Sequence, residues 1–382
     1  MLMEHLDEVV TDRSIRLKDV EAHMVEVTGD ARFRGRYWVN ATSGSSGRRG
    51  IFLFDQAEWV AIMSSLARAH EWAVARVSLT HRMKMASVAS VSPLHMSARV
   101  GATLNSWWMP ALLLAASEPL DTIVARLNDC QPEMLVAYAS MARMLAEAQM
   151  AGRLRIAPHI VFTSSEVLTD ETRRWAEAAW GRSVFNEYAS TETGGLAAEC
   201  EHHRLHLMED QVMIKVVDGD NQPVPAGVYG EKLLVTTLFS RTQPLIRYEI
   251  SDSVRLAQES CPCGRPYRVV DNVQGRREDL LRFPGIAGGE VTVHPHVFHK
   301  LLDTVPAGGW QVVQMPDGVN VLLSGLEDPI VEERIAVTLR RELNAQGADT
   351  PRVSVQHVPA IPQTQAGKAP LIKATPYQLP AS

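Results

Sequence analysis

Apolar residues recur at helical spacing along Gln56–Arg76, where Trp59, Ile62, Met63, Leu66 and Ala69 share one face and predict an amphipathic helix. Before it, a mixed polar stretch holds one helix candidate, Ser14–Glu26, and a strand-like run, Arg36–Ala41. After it, short β-branched runs alternate with helical patterns. Val88–Val91 and Ile160–Phe162 read as strands, Leu120–Leu127, Ser140–Ala151 and Thr169–Trp180 as helices, and Val184–Phe185 as one more strand. This alternation predicts an α/β core with mostly parallel strands. Beyond about residue 205 the texture changes. Val212–Val217, Lys232–Thr237 and Val254–Leu256 are separated by turn-formers such as DGDNQPVPAG, which predicts an antiparallel subdomain. A last unit reads β (Glu290–Val293), α (Pro295–Leu302), β (Gln311–Val313), β (Val319–Leu323), α (Pro329–Gln346), β (Arg352–Val358), the order of a small split β-α-β domain.

Composition narrows the function classes. Of 382 residues, 46% are hydrophobic and 21% charged, which excludes a disordered, collagen-like or coiled-coil chain. The 38 Lys+Arg against 44 Asp+Glu leave a net charge of −6, unsuited to a dedicated nucleic-acid binder. The longest apolar run, Met109–Ala116, is interrupted by Pro110 and too short for a membrane span. The acidic start MLMEHLDEVV lacks the order of a signal peptide, so the expectation is a cytoplasmic protein without a membrane partner.

Several segments carry candidate chemistry. TSGSSGRRG (Thr42–Gly50) mixes glycines with hydroxyl residues, a composition that lets backbone N–H groups and hydroxyls line a polyphosphate. It lacks the Lys-Ser/Thr of a Walker loop, and by itself equally fits a surface turn. NEYASTETGG (Asn186–Gly195) follows a short strand, where α/β sheets bind ligands, and offers Glu192 as an oxygen donor for Mg2+. PLIRYEISD (Pro244–Asp252), GRRED (Gly275–Asp279) and PQTQAGKAP with Lys368 follow in order. Taken singly, Glu192 fits a solvated loop carboxylate and Lys368 an exposed tail lysine.

Together, in this order, these five segments resemble the adenylate-forming superfamily of acyl-CoA synthetases and adenylation domains, and within it the phenylacetate–CoA ligase branch. The resemblance runs from about Arg34 to Lys373. It implies an α/β fold: a large adenylate-forming N-terminal domain (1–281) with mostly parallel sheets plus an antiparallel subdomain, and a small mobile α+β C-terminal domain (282–382). By position, Thr42, Ser43, Gly44, Ser45, Ser46 and Gly47 correspond to the phosphate loop. Arg48 or Arg49 replaces that loop's usual ending and its cationic contact. Ser164, Ser165 and Glu166 correspond to the segment packing on adenine, and Tyr188 flanks the ring. Thr191 meets the α-phosphate, Glu192 holds Mg2+, and Asp252 and Arg276 contact the ribose. Asp279 corresponds to the hinge and Lys368 to the lysine that bridges the attacking carboxylate and the α-phosphate. His95, in VSPLHMSARVG, corresponds to the residue gating the acid pocket, although a structural histidine fits equally. Trp107, Trp108 and Ala189 are candidates for the pocket wall, though large aromatics often serve the core.

The implied activity is ATP-dependent activation of an aryl or arylalkyl carboxylic acid to an acyl-adenylate, followed by transfer to CoA. Only 41 residues precede the phosphate loop, which reads as a trimmed N-terminal segment, and RFPGIAGGEVTVHPHVF departs from the usual run after the hinge. A carrier-protein thiol or an amine therefore stands beside CoA as acceptor, and a non-catalytic binder remains the rival reading. A homodimer is compatible with all of them.

The chain has four cysteines, too few for a disulfide scaffold. Cys200 and His206, with Cys261-Pro-Cys263-Gly further on, offer three sulfurs and an imidazole, a donor set for structural tetrahedral Zn2+. His202 and His203 compete for the imidazole position. The resembling branch includes members with a similar arrangement.

Overall fold

The computed structural model describes residues 2–42, 49–73, 82–276, 281–293, 296–302, 304–305, 307–326, 328–349, 351–364 and 367–374. Its largest sheet has nine strands. In spatial order they are Asp252–Leu256, Val269–Arg276, Leu205–Leu207, Gly194–Glu199, Val184–Ser190, Ile160–Ser164, Met134–Tyr138, Met85–Ala89 and Ala111–Ala115. From Val184–Ser190 to Ala111–Ala115 all four pairings are parallel, and the helices Met96–Leu104, Leu120–Cys130, Ala139–Met150 and Asp170–Trp180 form the crossovers. The other four pairings are antiparallel, so the sheet is mixed. Its parallel half is covered by helices and reads as near-continuous apolar runs, MLVAY and IVFTS, with Leu135, Val161 and Val184 fully buried.

The structure extends several expected elements. The strand expected at Val184–Phe185 runs on through Ser190, so NEYAS lies on a strand and only Thr191–Thr193 turn. Val254–Leu256 belongs to Asp252–Leu256 at the edge of the nine-stranded sheet, while Val212–Val217, Lys232–Thr237 and Tyr248–Ile250 form a separate antiparallel sheet. The helix Met96–Leu104 was not legible because Gly101, serine and threonine dilute its pattern. Gly101 is there for packing: a Cβ would come within 2.6 Å of the Leu113 side chain on the strand below.

Near the start of the chain, Trp38–Ala41 pairs antiparallel with Ile51–Phe54, and Trp38 stacks on Trp59 of helix Gln56–Trp72 at 5.1 Å. That hairpin carries the glycine-rich loop between its strands. At the C-terminal end, the hairpin Leu281–Pro284/Glu290–Val293 accompanies a four-stranded mixed sheet ordered Arg352–His357, Gly318–Ser324, Gly309–Met315, Ile372–Lys373. Phe298, Leu302, Trp310, Val321, Leu339 and Leu343 share one core there with Leu281 and Ile372. The parallel pairing of Ile372 with Val312 fixes the tail that carries Lys368. Among the described residues no helix is long and apolar enough to cross a membrane.

Candidate active site

Three parallel strands end side by side at Ala89, Tyr138 and Ser164, and their carboxyl ends open on a cavity of about 1730 Å3. This exceeds the roughly 300–1000 Å3 typical of one small-molecule site, leaving room for two ligands together. Beyond the first strand, Ser90 donates its N–H to the Tyr138 hydroxyl at 2.9 Å, and its own hydroxyl sits 2.6 Å from His95 Nδ1. His95 precedes helix Met96–Leu104 and lines the cavity. Burial, then the positive charges of Lys368 and Arg49, hold its imidazole below the usual histidine range. Two cations from distant parts of the chain thus line one cavity with this histidine, and an anion placed there is stabilised by both.

Lys368 arrives from the C-terminal unit. Its Nζ lies 5.4 Å from the centroid of the Tyr138 ring. The loop that presents it is a tight turn: Gly367 N–H donates to Thr364 O and Thr364 N–H to Lys368 O. Glu166 receives that loop, its carboxylate accepting from Ala369 N–H at 2.7 Å and Ser140 N–H at 2.9 Å. Burial raises the Glu166 pKa, opposed by those two N–H groups and the nearby Lys368. Arg143 supports the same contact. Its buried guanidinium donates to Ala307 O, lies 3.9 Å from the Trp175 ring and pairs with Glu147. Neither Tyr138 nor Arg143 carries a sequence signal, because each acts through partners far away in the chain.

The opposite wall is formed by Asn186–Ala189 and Asp252. Tyr188 donates its hydroxyl to the Asp252 carboxylate, joining two segments 64 residues apart. Thr191 and Glu192 occupy the turn that follows, both half-buried, with Ser190 and Thr193 hydroxyls 3.0 Å apart across it. Thr42 and Arg49 line the cavity from the glycine-rich loop, whose base closes where Gly50 N–H donates to Thr42 Oγ1 at 2.8 Å. Ser164 ends its strand, and Ser165 follows at φ +67°, a strained conformation for a residue with a side chain. Ser43, Gly44, Ser45, Ser46, Gly47, Arg48 and Asp279 lie outside the described residues. Arg276 is described as the backbone register partner of Asp252. Trp107 and Trp108 are not brought into the cavity wall; they pack edge to face on the surface, Trp107 64% exposed.

The cysteines converge as expected. Ligand atoms of Cys200, His206, Cys261 and Cys263 all lie within 4.8 Å of one another. Cys200 Sγ is 3.6 Å from Cys261 Sγ, and Cys263 Sγ is 3.3 Å from His206 Nε2. Tetrahedral zinc with Zn–S near 2.3 Å places two sulfurs about 3.8 Å apart, so the donor set and spacing could hold zinc. His206 Nδ1 sits 3.2 Å from Tyr267 O, an orientation that turns Nε2 toward the sulfurs. Burial pushes the Cys200 thiol up to about 11, which only a metal or another cation would reverse. His203 is elsewhere, stacked on Phe185 and beside Arg173 and Glu199. Elemental analysis is expected to find about one zinc per chain. Cys261→Ser should lose it and lower Tm by several degrees; a metal-free protein with unchanged Tm would refute the assignment.

Comparison with known proteins bears on this geometry. Residues 37–237 match the family model described as AMP-binding enzyme. Protein CapK of Staphylococcus aureus is 27% identical over 255 residues, 63% of this chain; the match spans about half, 53%, of that protein's length. The fold is similar to 2-hydroxyisobutyryl-CoA ligase in the postadenylation state with 2-HIB-AMP, at TM-score 0.72 and 18% identity over 98% of this chain and 87% of that one. It is also similar to an anthranilate CoA ligase in complex with anthranoyl-AMP, at TM-score 0.57 and 14% identity over 87% and 65% of the two chains. At these identities the two structures establish the shared fold.

Proposed function

Since the chain belongs to the family of AMP-binding enzymes, whose model matches more than half of it, we propose that it activates a carboxylic acid with ATP to an acyl-adenylate and then passes the acyl group to the thiol of CoA. The observation that carries this reading is that Lys368, Arg49 and His95, from distant parts of the chain, line one cavity at the carboxyl ends of the parallel strands, with Lys368 5.4 Å from the Tyr138 ring. A polyphosphate and a carboxylate are both anions, and bringing them together needs positive charge fixed where they meet. Lys368 supplies it at the α-phosphate, so that the carboxylate oxygen attacks phosphorus as pyrophosphate leaves; no covalent bond to the protein is required. His95, kept neutral, adds no charge that would compete for the anions.

Tyr188 and Asp252, joined by their hydrogen bond, form a wall for adenine and ribose, with Arg276 on the adjacent strand. Glu192 and Thr191 follow in the turn. A carboxylate there suits Mg2+, a hard ion that shields triphosphate charge when bound. The C-terminal unit (282–382) delivers Lys368 for the first step and turns about Asp279 to admit the thiol for the second. The acid proposed is aryl or arylalkyl, as in the phenylacetate–CoA ligase branch that the motifs resemble.

The test is ATP–pyrophosphate exchange with a panel of aryl and aliphatic acids, followed by addition of CoA and mass measurement of the product. Exchange dependent on an aryl acid, with thioester on adding CoA, is expected. Exchange without thioester, and product only with a carrier protein or an amine, would replace the acceptor. No exchange with any acid would overturn the enzymatic reading in favour of a binding protein.

A further inference from the structure

The C-terminal unit is held at a second place besides the lysine loop. Arg143, on helix Ala139–Met150 and only 4% exposed, donates from Nη2 to Ala307 O at 3.0 Å. The rest of its guanidinium is held from within the large unit. Nε donates to Glu147 Oε1 at 2.7 Å, and Nη1 stands 3.7 Å from Glu171 Oε1. Cζ lies 3.9 Å from the centroid of the Trp175 ring, whose Nε1 donates to Glu171 at 2.8 Å. Two carboxylates and an indole therefore aim the guanidinium, and one edge is left for a carbonyl of the docked unit.

This contact is stronger than its neighbours. A hydrogen bond from a charged, pre-aimed donor is worth about twice a neutral one, and a buried guanidinium without its acceptor is penalised again by desolvation. The Gln363 amide, by contrast, reaches from the C-terminal unit only to the sulfurs of Met141 and Met144, at 3.6 and 3.9 Å. The facing backbone is shaped for close approach: at Gly308 a Cβ would stand 3.0 Å from Glu147 Oε1 and 3.2 Å from Ser324 O. The same helix also reaches the lysine loop. Ser140 N–H, on the turn before Arg143, donates to Glu166, which accepts from Ala369 N–H beside Lys368. Arg143 and Glu166 thus grip the C-terminal unit at two separate points of its chain, Ala307 and Ala369.

We propose that Arg143 is a positioning residue for the first half-reaction. By holding Ala307 O it keeps the C-terminal unit docked with Lys368 over Tyr138, and it has no part in the second half-reaction, in which that unit has turned away. Its loss lowers the docked population, so the effect falls on every turnover that needs Lys368 in place. In the proposed function ATP and the acid are bound by the large unit, so the effect falls on kcat rather than KM. This inference rests on the acid-activating function proposed above and deepens it.

The test uses the whole chain with Arg143→Met, which keeps packing on Trp175 and removes the donor, and Arg143→Lys, which keeps the charge but not the fork. In pyrophosphate exchange, kcat is expected to fall by about 10- to 100-fold in Arg143→Met and by less in Arg143→Lys, with KM nearly unchanged. Thioester formation from a supplied acyl-adenylate should stay at the wild-type rate. Hydrogen exchange followed by mass spectrometry reads docking without chemistry: the Ala369 amide should exchange at least about tenfold faster in Arg143→Met. Melting curves show that the variants are folded. If Arg143→Met melts below the assay temperature, Arg143→Lys carries both measurements. If no acid supports exchange in the wild type but the Ala369 amide is released in the variant, the docking role stands and the enzymatic reading falls. Folded variants with wild-type exchange kinetics and wild-type protection at Ala369 overturn the inference. An equal loss in both half-reactions overturns it too, because it marks a merely structural residue.

Discussion

Lys368→Ala is expected to lower acid-dependent ATP–pyrophosphate exchange by about 10²–10³-fold, corresponding to ~3–4 kcal/mol of transition-state stabilisation, the usual cost of removing one preorganised charge partner. The lysine Nζ lies 5.4 Å from the Tyr138 ring centroid at the cavity edge and belongs to no core cluster, so the melting temperature should stay close to wild type. Substrate affinity should change little, because the lysine is asked to stabilise charge that develops as phosphorus is attacked. Under the proposed function, in which the C-terminal unit turns away before the second step, thioester formation from a supplied acyl-adenylate should be retained. The measurements are exchange kinetics and CoA-dependent release of AMP from the adenylate. Exchange unchanged by the substitution would mean that another cation performs the step, and Arg49, which lines the same cavity, would be the first to replace.

Gly367→Ala is expected to have an effect of similar size without touching any charge. Gly367 adopts φ +76°, a conformation that costs a residue with a Cβ about 1–2 kcal/mol. A Cβ there would stand 2.6 Å from Ala116 Cβ and 2.7 Å from the backbone of Ala116 and Ser117. Backbone cannot yield as a flexible side chain does, so overpacking adds about 1–3 kcal/mol. Together these oppose the seated loop by about 2–5 kcal/mol, or roughly 30- to 5000-fold in exchange. The contact is made on Ala116, a member of the large unit's core, but from the lysine loop, whose displacement relieves it, so Tm should change little while exchange falls. Adenylate-to-thioester transfer should survive here too. A variant that exchanges at the wild-type rate would show that the seated loop is not the adenylating arrangement.

Much of the scaffold was legible beforehand, for reasons specific to each element. Val212–Val217 and Lys232–Thr237 were bounded correctly because one alternates buried and exposed positions and both stand between strong turn-formers. Helix Pro329–Ala345 was bounded to within a residue because Asp328 caps it and Pro329 opens it. The strands Ile51–Phe54 and Met134–Tyr138 were missed. Each is a short run buried on both faces, with no alternation to separate strand from helix. The two-residue strand Ile372–Lys373 has no local signature at all; it exists only because Gly309–Met315 lies beside it.

The candidate site divides in the same way. The cysteines with His206 were legible as a donor set from residue type and spacing, whereas the glycine-rich loop, Glu192, Asp252 and Lys368 became candidates through the ordered motifs on which the family resemblance rests. The sequence by itself determined the alternating core, the family to which the motifs point and the donors available. Only the tertiary structure decided that Lys368 stands over Tyr138, that Glu166 holds the lysine loop by its backbone, and that Glu187 is buried beside His70 while Trp107 remains on the surface. Propensity and spacing act between neighbours in the chain and can be read there. Desolvation, charge proximity and the pairing of a buried oxygen depend on which distant segments meet, and so they come into being only when the sheet and its C-terminal partner have closed around the cavity.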